Sequence, residues 1–214
     1  MKRRKTGLRL RNFVKFIKML GKYFYWYFTK ALHNVVCDSI IKLGKNKKLN
    51  KAKIGGDGYN KDIRNSNVTW LDDFWLYRYI HPYVQIANRN AGWNYQWDFS
   101  ESFQFTEYKK NQFYSWHRDS WDSPYKDHNN KNFNGKIRKL SVICSLVEPN
   151  DFKGGELLFQ PRDQTNSDIT IECKEILPRG SIVVFPSYVF HKVNPVTKGK
   201  RYSLVSWNLG VPFK

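Results

Sequence analysis

Cysteine is scarce in this 214-residue chain: only Cys37, Cys144 and Cys173 occur. The number is odd, each lies in an apolar segment, and no Cys-x-x-Cys pair exists. Buried free thiols are therefore expected, not a disulfide framework or a structural zinc site. Long hydrophobic runs are also missing. Phe13 to Phe28 is interrupted by Lys15, Lys18 and Lys22, well short of the ~20 apolar residues of a membrane-spanning helix. No clean apolar stretch with a small-residue cleavage site marks an export signal, so an intracellular, cytoplasmic protein is expected. There is no internal repeat and no Gly-rich phosphate loop.

Acidic residues are few, 18 against 37 Lys and Arg, for a net charge of +19. The excess is local. Residues 1–53 hold sixteen basic side chains and one acid, Asp38, while the rest of the chain holds 21 and 17. Three readings of the basic end stay open. It could contact nucleic acid or an anionic membrane surface through a basic helix between Leu8 and Leu20. It could recruit an acidic protein substrate, or it could be a solvated extension.

The length and a hydrophobic content of 41% suit one domain with a full core. The expected division is a basic extension over 1–22 and a single domain over 23–214, with its catalytic core at about 100–209. Apolar stretches are short and punctuated: 93–99, 103–108, 140–147, 156–159, 169–173, 181–185 and 201–209. Strands at such spacing indicate a mainly β sandwich or barrel. Tyr23 to Phe28 reads as a strand entering the domain. Helices belong to the N-terminal half. Leu32, Val35, Val36, Ile40 and Leu43 mark one helical face ending at Gly44, and residues 71–91 repeat the pattern. Pro82 should start a helix there or break it in two.

The chemistry-bearing residues lie later. His117 and Asp119 are two apart, a spacing that puts both side chains on one face of a strand or its extended end. Two imidazoles and one carboxylate form the ligand set of a non-haem ferrous site with open positions, and His191 is the candidate for the third ligand. His-Arg-Asp also opens the catalytic loop of protein kinases, which needs an Asn five residues after the Asp. Position 124 is Pro, and that reading is dropped. Ile182 to Phe185 is a continuous apolar run of the kind buried on both faces, ended by Pro186. His191 is expected just beyond that end. Arg201 begins another run rich in β-branched and aromatic residues, where an inward arginine needs a carboxylate partner.

The succession Tyr108, Asn111, Tyr114, His117-Arg-Asp119, the run Leu140 to Leu146, Gly154-Gly155, Gly180 to Pro186, His191, Arg201 and Trp207 resembles the prolyl-4-hydroxylase-like branch of the iron(II)- and 2-oxoglutarate-dependent dioxygenases. The resemblance covers residues 100–209 strongly and 28–99 weakly. It implies a double-stranded β-helix, a jelly-roll barrel flanked by helices. It implies Fe(II) on His117, Asp119 and His191, and 2-oxoglutarate with its distal carboxylate on Arg201 beside Tyr108, over Trp207. O2 would be consumed, succinate and CO2 released, and ascorbate needed to rescue oxidised iron. A prolyl residue in a protein or peptide is the implied substrate, with a free amino acid or other small metabolite as the alternative. A nucleic-acid oxygenase is disfavoured, because relatives of that kind carry a second arginine where Trp207 stands. An inactive binding protein on the same fold is the remaining class. Residues 121–135 read as a mobile loop over the site, with Trp121 and Tyr125 able to touch substrate; Asp122, Asp127 and His128 in it are not taken as a second metal site. Asn111 stands where the family often has Gly, and Asn tolerates the left-handed conformation such a turn needs.

Overall fold

A computed structural model describes residues 23–53, 58, 60–121, 123–160 and 170–213. The extension over 1–22, with the helix expected between Leu8 and Leu20, lies outside the described residues. In chain order, β1 (Trp26–Phe28) precedes helix α1 (Asn34–Asn46), and β2 (Asn50–Lys51), β3 (Arg64–Asn65) and β4 (Asn67–Leu71) follow. After helix α2 (Phe74–Asn90) come β5 (Phe99–Ser100), β6 (Phe103–Tyr108) and β7 (Phe113–His117). The long β8 (Ile137–Ser145) leads to β9 (Phe152–Gly154), β10 (Leu157–Gln160) and β11 (Ile171–Glu172). Last are β12 (Ile182–Pro186), β13 (Phe190–Val193), β14 (Val196–Gly199) and β15 (Arg201–Gly210).

The larger sheet has the order β1-β12-β8-β15-β6-β4-β2, with β5 also on β15, and the smaller one β11-β10-β13-β7-β3. The architecture is the expected mainly β one, a double-stranded β-helix with both helices on one outer face. Alternation along the central strands of the larger sheet shows why. Leu140, Val142 and Cys144 of β8 and Ile182 and Val184 of β12 pack in a core with α1 and α2. Ile143 of β8 and Val183 and Phe185 of β12 point the other way, to a second core shared with Leu157, Phe159 and Val193 of the smaller sheet. Both faces are dry, so these strands read as continuous apolar runs despite their period of two. Each such side chain, fully buried, contributes roughly 1.5–3 kcal/mol.

Several expectations need correction. Gly44 does not end α1 but lies inside it, because a side chain there would overlap the Phe105 ring; it is a close-approach glycine, not a terminator. Pro82 neither starts nor breaks a helix: α2 is one piece. Its buried stripe of Leu76, Ile80, Val84 and Ala87 runs past the proline, which faces solvent. Residues 93–98 form no strand. Asn88 holds Tyr95 instead, its side-chain amide donating to the Tyr95 carbonyl and its carbonyl accepting from the Tyr95 N–H, each at 2.9 Å. Of the expected strand at 23–28 only Trp26–Phe28 pairs, with β12. The three cysteines are free and buried, as expected, and no described helix is long and apolar enough to cross a membrane.

Candidate active site

The two histidines come from neighbouring strands of the smaller sheet. β13 pairs antiparallel with β7, and His191 stands directly opposite His117. His191 is therefore not delivered by the end of the apolar strand β12. A tight turn, closed by the Val189 N–H on the Pro186 carbonyl at 2.9 Å, carries the chain into β13 and across to the other sheet. Each imidazole donates through Nδ1 to the carbonyl two residues before it, His117 to Ser115 at 2.8 Å and His191 to Val189 at 2.9 Å. A carbonyl only accepts, so these bonds fix the tautomer and leave both Nε2 lone pairs for a ligand. Tyr114 stacks on His117 and Phe185 packs edge-on against His191, which hold the rings.

Asp119 follows the end of β7. Its N–H and that of Ser120 both donate to the Ser187 carbonyl at 2.9 Å, while Ser141 Oγ donates to Asp119 Oδ2 at 2.7 Å. The carboxylate reaches His117 Nε2 at 3.8 Å and His191 Nε2 at 3.6 Å. One ligand atom from each of the three lies within 4.8 Å of the others, and among the described residues this is the one His, Cys, Asp or Glu cluster that could hold a metal ion. Burial alone would raise the Asp119 carboxyl, but the imidazoles of His191 and His117 outweigh it and bring it to about 2. Burial and the neighbouring His191 hold His117 well below its ordinary range. An ionised carboxylate beside a neutral imidazole suits a divalent cation.

The triad opens into a cavity of about 1040 Å³ between the sheets. Tyr108, Trp207 and Arg201 line it, as do Trp121 and Tyr125. Arg201 is 4% exposed and lies opposite Tyr108 across β15 and β6, its guanidinium 5.4 Å from the centre of the Tyr108 ring. It donates to Ser203 Oγ at 3.3 Å, yet no described carboxylate lies within ion-pair distance. Gly155, in the left-handed conformation, passes so close that a side chain there would press on the Arg201 stem. Burial pushes the Arg201 guanidinium down.

Sequence reasoning missed a second arginine. Arg138 of β8 makes two bonds of 2.6 Å to Glu101, from Nε and Nη2, and stacks 3.9 Å from the centre of the Trp207 ring. Strict alternation would group Arg138 with Leu140 on the helix-facing side. An irregularity in register between β8 and β15, where Leu140 faces Asn208 but Arg138 already faces Leu209, turns it into the cavity instead. Trp207 is 5% exposed, and its Nε1 is the one buried side-chain N or O among the described residues without a hydrogen-bond partner. Residues 123–135 are folded, not loose. The Tyr125 N–H donates to the Lys136 carbonyl and the Gly135 N–H to the Tyr125 carbonyl, both at 2.9 Å, and Phe133 packs edge-on against Tyr125 and Phe99. Asn111 does adopt the left-handed conformation, with φ 65°.

Residues 103–208 match the family model described as the 2OG-Fe(II) oxygenase superfamily. A PKHD-type hydroxylase of Idiomarina loihiensis is 36% identical over 74 residues, which is 35% of this chain and 31% of that protein. The chain thus spans about a third of the length of such curated relatives. Among solved structures, a Pseudomonas putida prolyl-4-hydroxylase is similar with a TM-score of 0.63 and 21% identity, over 93% of this chain and 98% of that one. A Trichoplax adhaerens prolyl hydroxylase, in complex with a hypoxia inducible factor oxygen degradation domain peptide fragment, has a TM-score of 0.66 and 18% identity over 97% and 94%. At these identities the structures show a common fold.

Proposed function

Because residues 103–208 belong to the 2OG-Fe(II) oxygenase superfamily, we propose that this chain is an Fe(II)- and 2-oxoglutarate-dependent dioxygenase that hydroxylates a prolyl residue in a protein or peptide. The observation that carries the reading is the pairing, in one cavity, of the His117, Asp119 and His191 cluster with a buried arginine that has no described carboxylate within ion-pair distance. His117, Asp119 and His191 would hold the metal on one face. Arg201, fixed against Tyr108, would take the distal carboxylate of 2-oxoglutarate, since an arginine buried without a carboxylate is costly until one arrives. When bound, ferrous iron with 2-oxoglutarate and O2 supplies the oxidising chemistry, with succinate and CO2 as co-products.

The rest of the work belongs to this chain. Ser141 and Ser187 orient Asp119, and the Nδ1 bonds keep Nε2 of each histidine turned toward the cluster. Ile143, Val193 and Val205 give the cavity an apolar wall, which excludes water from the reacting C–H bond. Arg138 and the Trp207 N–H are donors in the same space and suit a carbonyl of the substrate chain. Prolyl peptides are favoured because two of the solved structures with this fold are prolyl hydroxylases, one in complex with a peptide fragment. The test follows release of succinate and the gain of one oxygen atom by proline-containing peptides. His117→Ala should abolish both, and retained turnover would end the assignment. Succinate release without any oxidised peptide would move the substrate to a free amino acid or other small metabolite.

A further inference from the structure

We propose that the mouth of this cavity binds an acidic peptide segment, in which carboxylate side chains flank the residue that is oxidised; the proposal rests on the hydroxylase reading and specifies its substrate. Seven lysines and arginines line the cavity against one described carboxylate, Asp119, which belongs to the metal cluster. Composition does not explain this. Five of the seven come from residues 58–213, whose described positions hold 19 basic and 13 acidic side chains.

Three of the cations have work within the cavity. Arg201 awaits a diacid, Arg138 is paired with Glu101, and Arg64 packs over the Tyr114 ring while donating to Ser66 Oγ. The rim is different. Lys51 on β2 and Lys126 in the 121–135 loop are exposed, and no described carboxylate lies within ion-pair distance of either. A second, independent observation concerns Trp207, whose ring lines the cavity and whose buried Nε1–H has no acceptor among the described residues. An unsatisfied buried donor destabilises the fold, so an acceptor that enters with the substrate removes that cost.

An extended peptide fits better than a nucleic acid. β2 and β3 each stand at one end of the two larger sheets, and both contribute lining residues, Asn50, Lys51 and Arg64. A sheet edge offers main-chain donors and acceptors to an extended chain. The wall of Ile143, Val193 and Val205 suits one apolar side chain with its carbonyl on Arg138 and Trp207. A nucleobase would leave several polar edge atoms unpaired against that wall.

The test uses the full chain loaded with Fe(II) and measures anisotropy of labelled proline-centred peptides whose flanks carry Glu, Gln or Lys. The Glu peptide should bind at least about tenfold more tightly than the Gln peptide, and the Lys peptide more weakly than both. Lys51→Glu with Lys126→Glu should erase the preference, whereas Lys2→Glu with Lys5→Glu in the basic extension should keep it. The milder Lys51→Gln with Lys126→Gln should give a smaller loss in the same direction at an unchanged urea midpoint, which excludes misfolding as the cause. A preference that survives in both rim variants overturns the proposal. So does an oligothymidylate that displaces the peptide and itself loses affinity in the rim variants, since the mouth would then be a nucleic-acid site. Failure of the hydroxylase reading looks different: no bound peptide gains oxygen, while the charge preference and its loss persist.

Discussion

Arg138 and Arg201 project into the same cavity from the paired strands β8 and β15, but only the first meets a carboxylate. Arg138 has both oxygens of Glu101 and the face of Trp207, so its charge is neutralised within the protein. Arg201 has a serine hydroxyl and a tyrosine ring. Burial works against both guanidinium groups, but the Glu101 partner more than restores Arg138, whose guanidinium ends raised above its ordinary value, whereas Arg201 stays depressed. On the proposed function, the contrast separates a wall residue from a ligand residue. A buried charge that is fully paired holds structure in place. One that is left short of a partner is a binding site whose other half comes from outside.

Breaking the pair at Arg138 should have the largest effect on stability. Glu101→Gln leaves a guanidinium in the wall without its counter-charge, and loss of one partner of a buried pair costs roughly 3–5 kcal/mol. Because the Arg138 side chain retains 15% exposure, the lower end is expected, about 3 kcal/mol by urea unfolding. Arg201→Met should do the opposite in the ligand-free protein and leave stability level or raised, since it removes an uncompensated charge. A matching loss from both substitutions would show that Arg201 is paired structurally after all.

The next effect sharpens the contrast from the ligand side. 2-Oxoglutarate at about a hundred times its dissociation constant should stabilise the Fe(II)-loaded protein by about 2.7 kcal/mol. For a domain of this size that raises the melting temperature by roughly 5–10 °C. Arg201→Met should lose the shift, while Glu101→Gln should keep most of it from a lower starting point. Equal shifts in wild type and Arg201→Met would remove Arg201 from the co-substrate site.

Both of the larger sheets serve core and cavity alike, and they differ in how well the sequence discloses them. β6, β8, β12 and β15 announce themselves because nearly every position on both of their faces is buried and their apolar residues recur with few breaks. β7 has no fully buried position and β3 has two residues, so neither carries a periodic signal, although β7 ends on His117. The metal cluster was legible through residue type and order of motifs, and Arg201 through its spacing from His191. That His191 sits inside a strand of the opposite sheet was not legible, since the pairing of β13 with β7 is non-local. Arg138 was hidden by the register irregularity beside it, and Glu101 by lying outside any run. Gly44 and Pro82 misled because local propensity gave way to tertiary packing against Phe105 and to solvent exposure of the proline.

Trp207 tests the comparison at its finest scale, because it touches Arg138 on one face yet carries the unpartnered donor. Trp207→Phe keeps most of the ring beneath the guanidinium and deletes Nε1. If the N–H is held for a substrate acceptor, the change should be nearly neutral in the free protein, because an unsatisfied donor leaves with the indole. It should weaken binding of a proline-centred peptide by up to about tenfold, the worth of one hydrogen bond at ~0.5–1.5 kcal/mol. The 2-oxoglutarate shift should stay as in wild type, since the proposed carboxylate partner is Arg201. Weakened 2-oxoglutarate binding with unchanged peptide affinity would instead place Trp207 on the co-substrate side of the cavity and leave Arg138 as the peptide-facing donor.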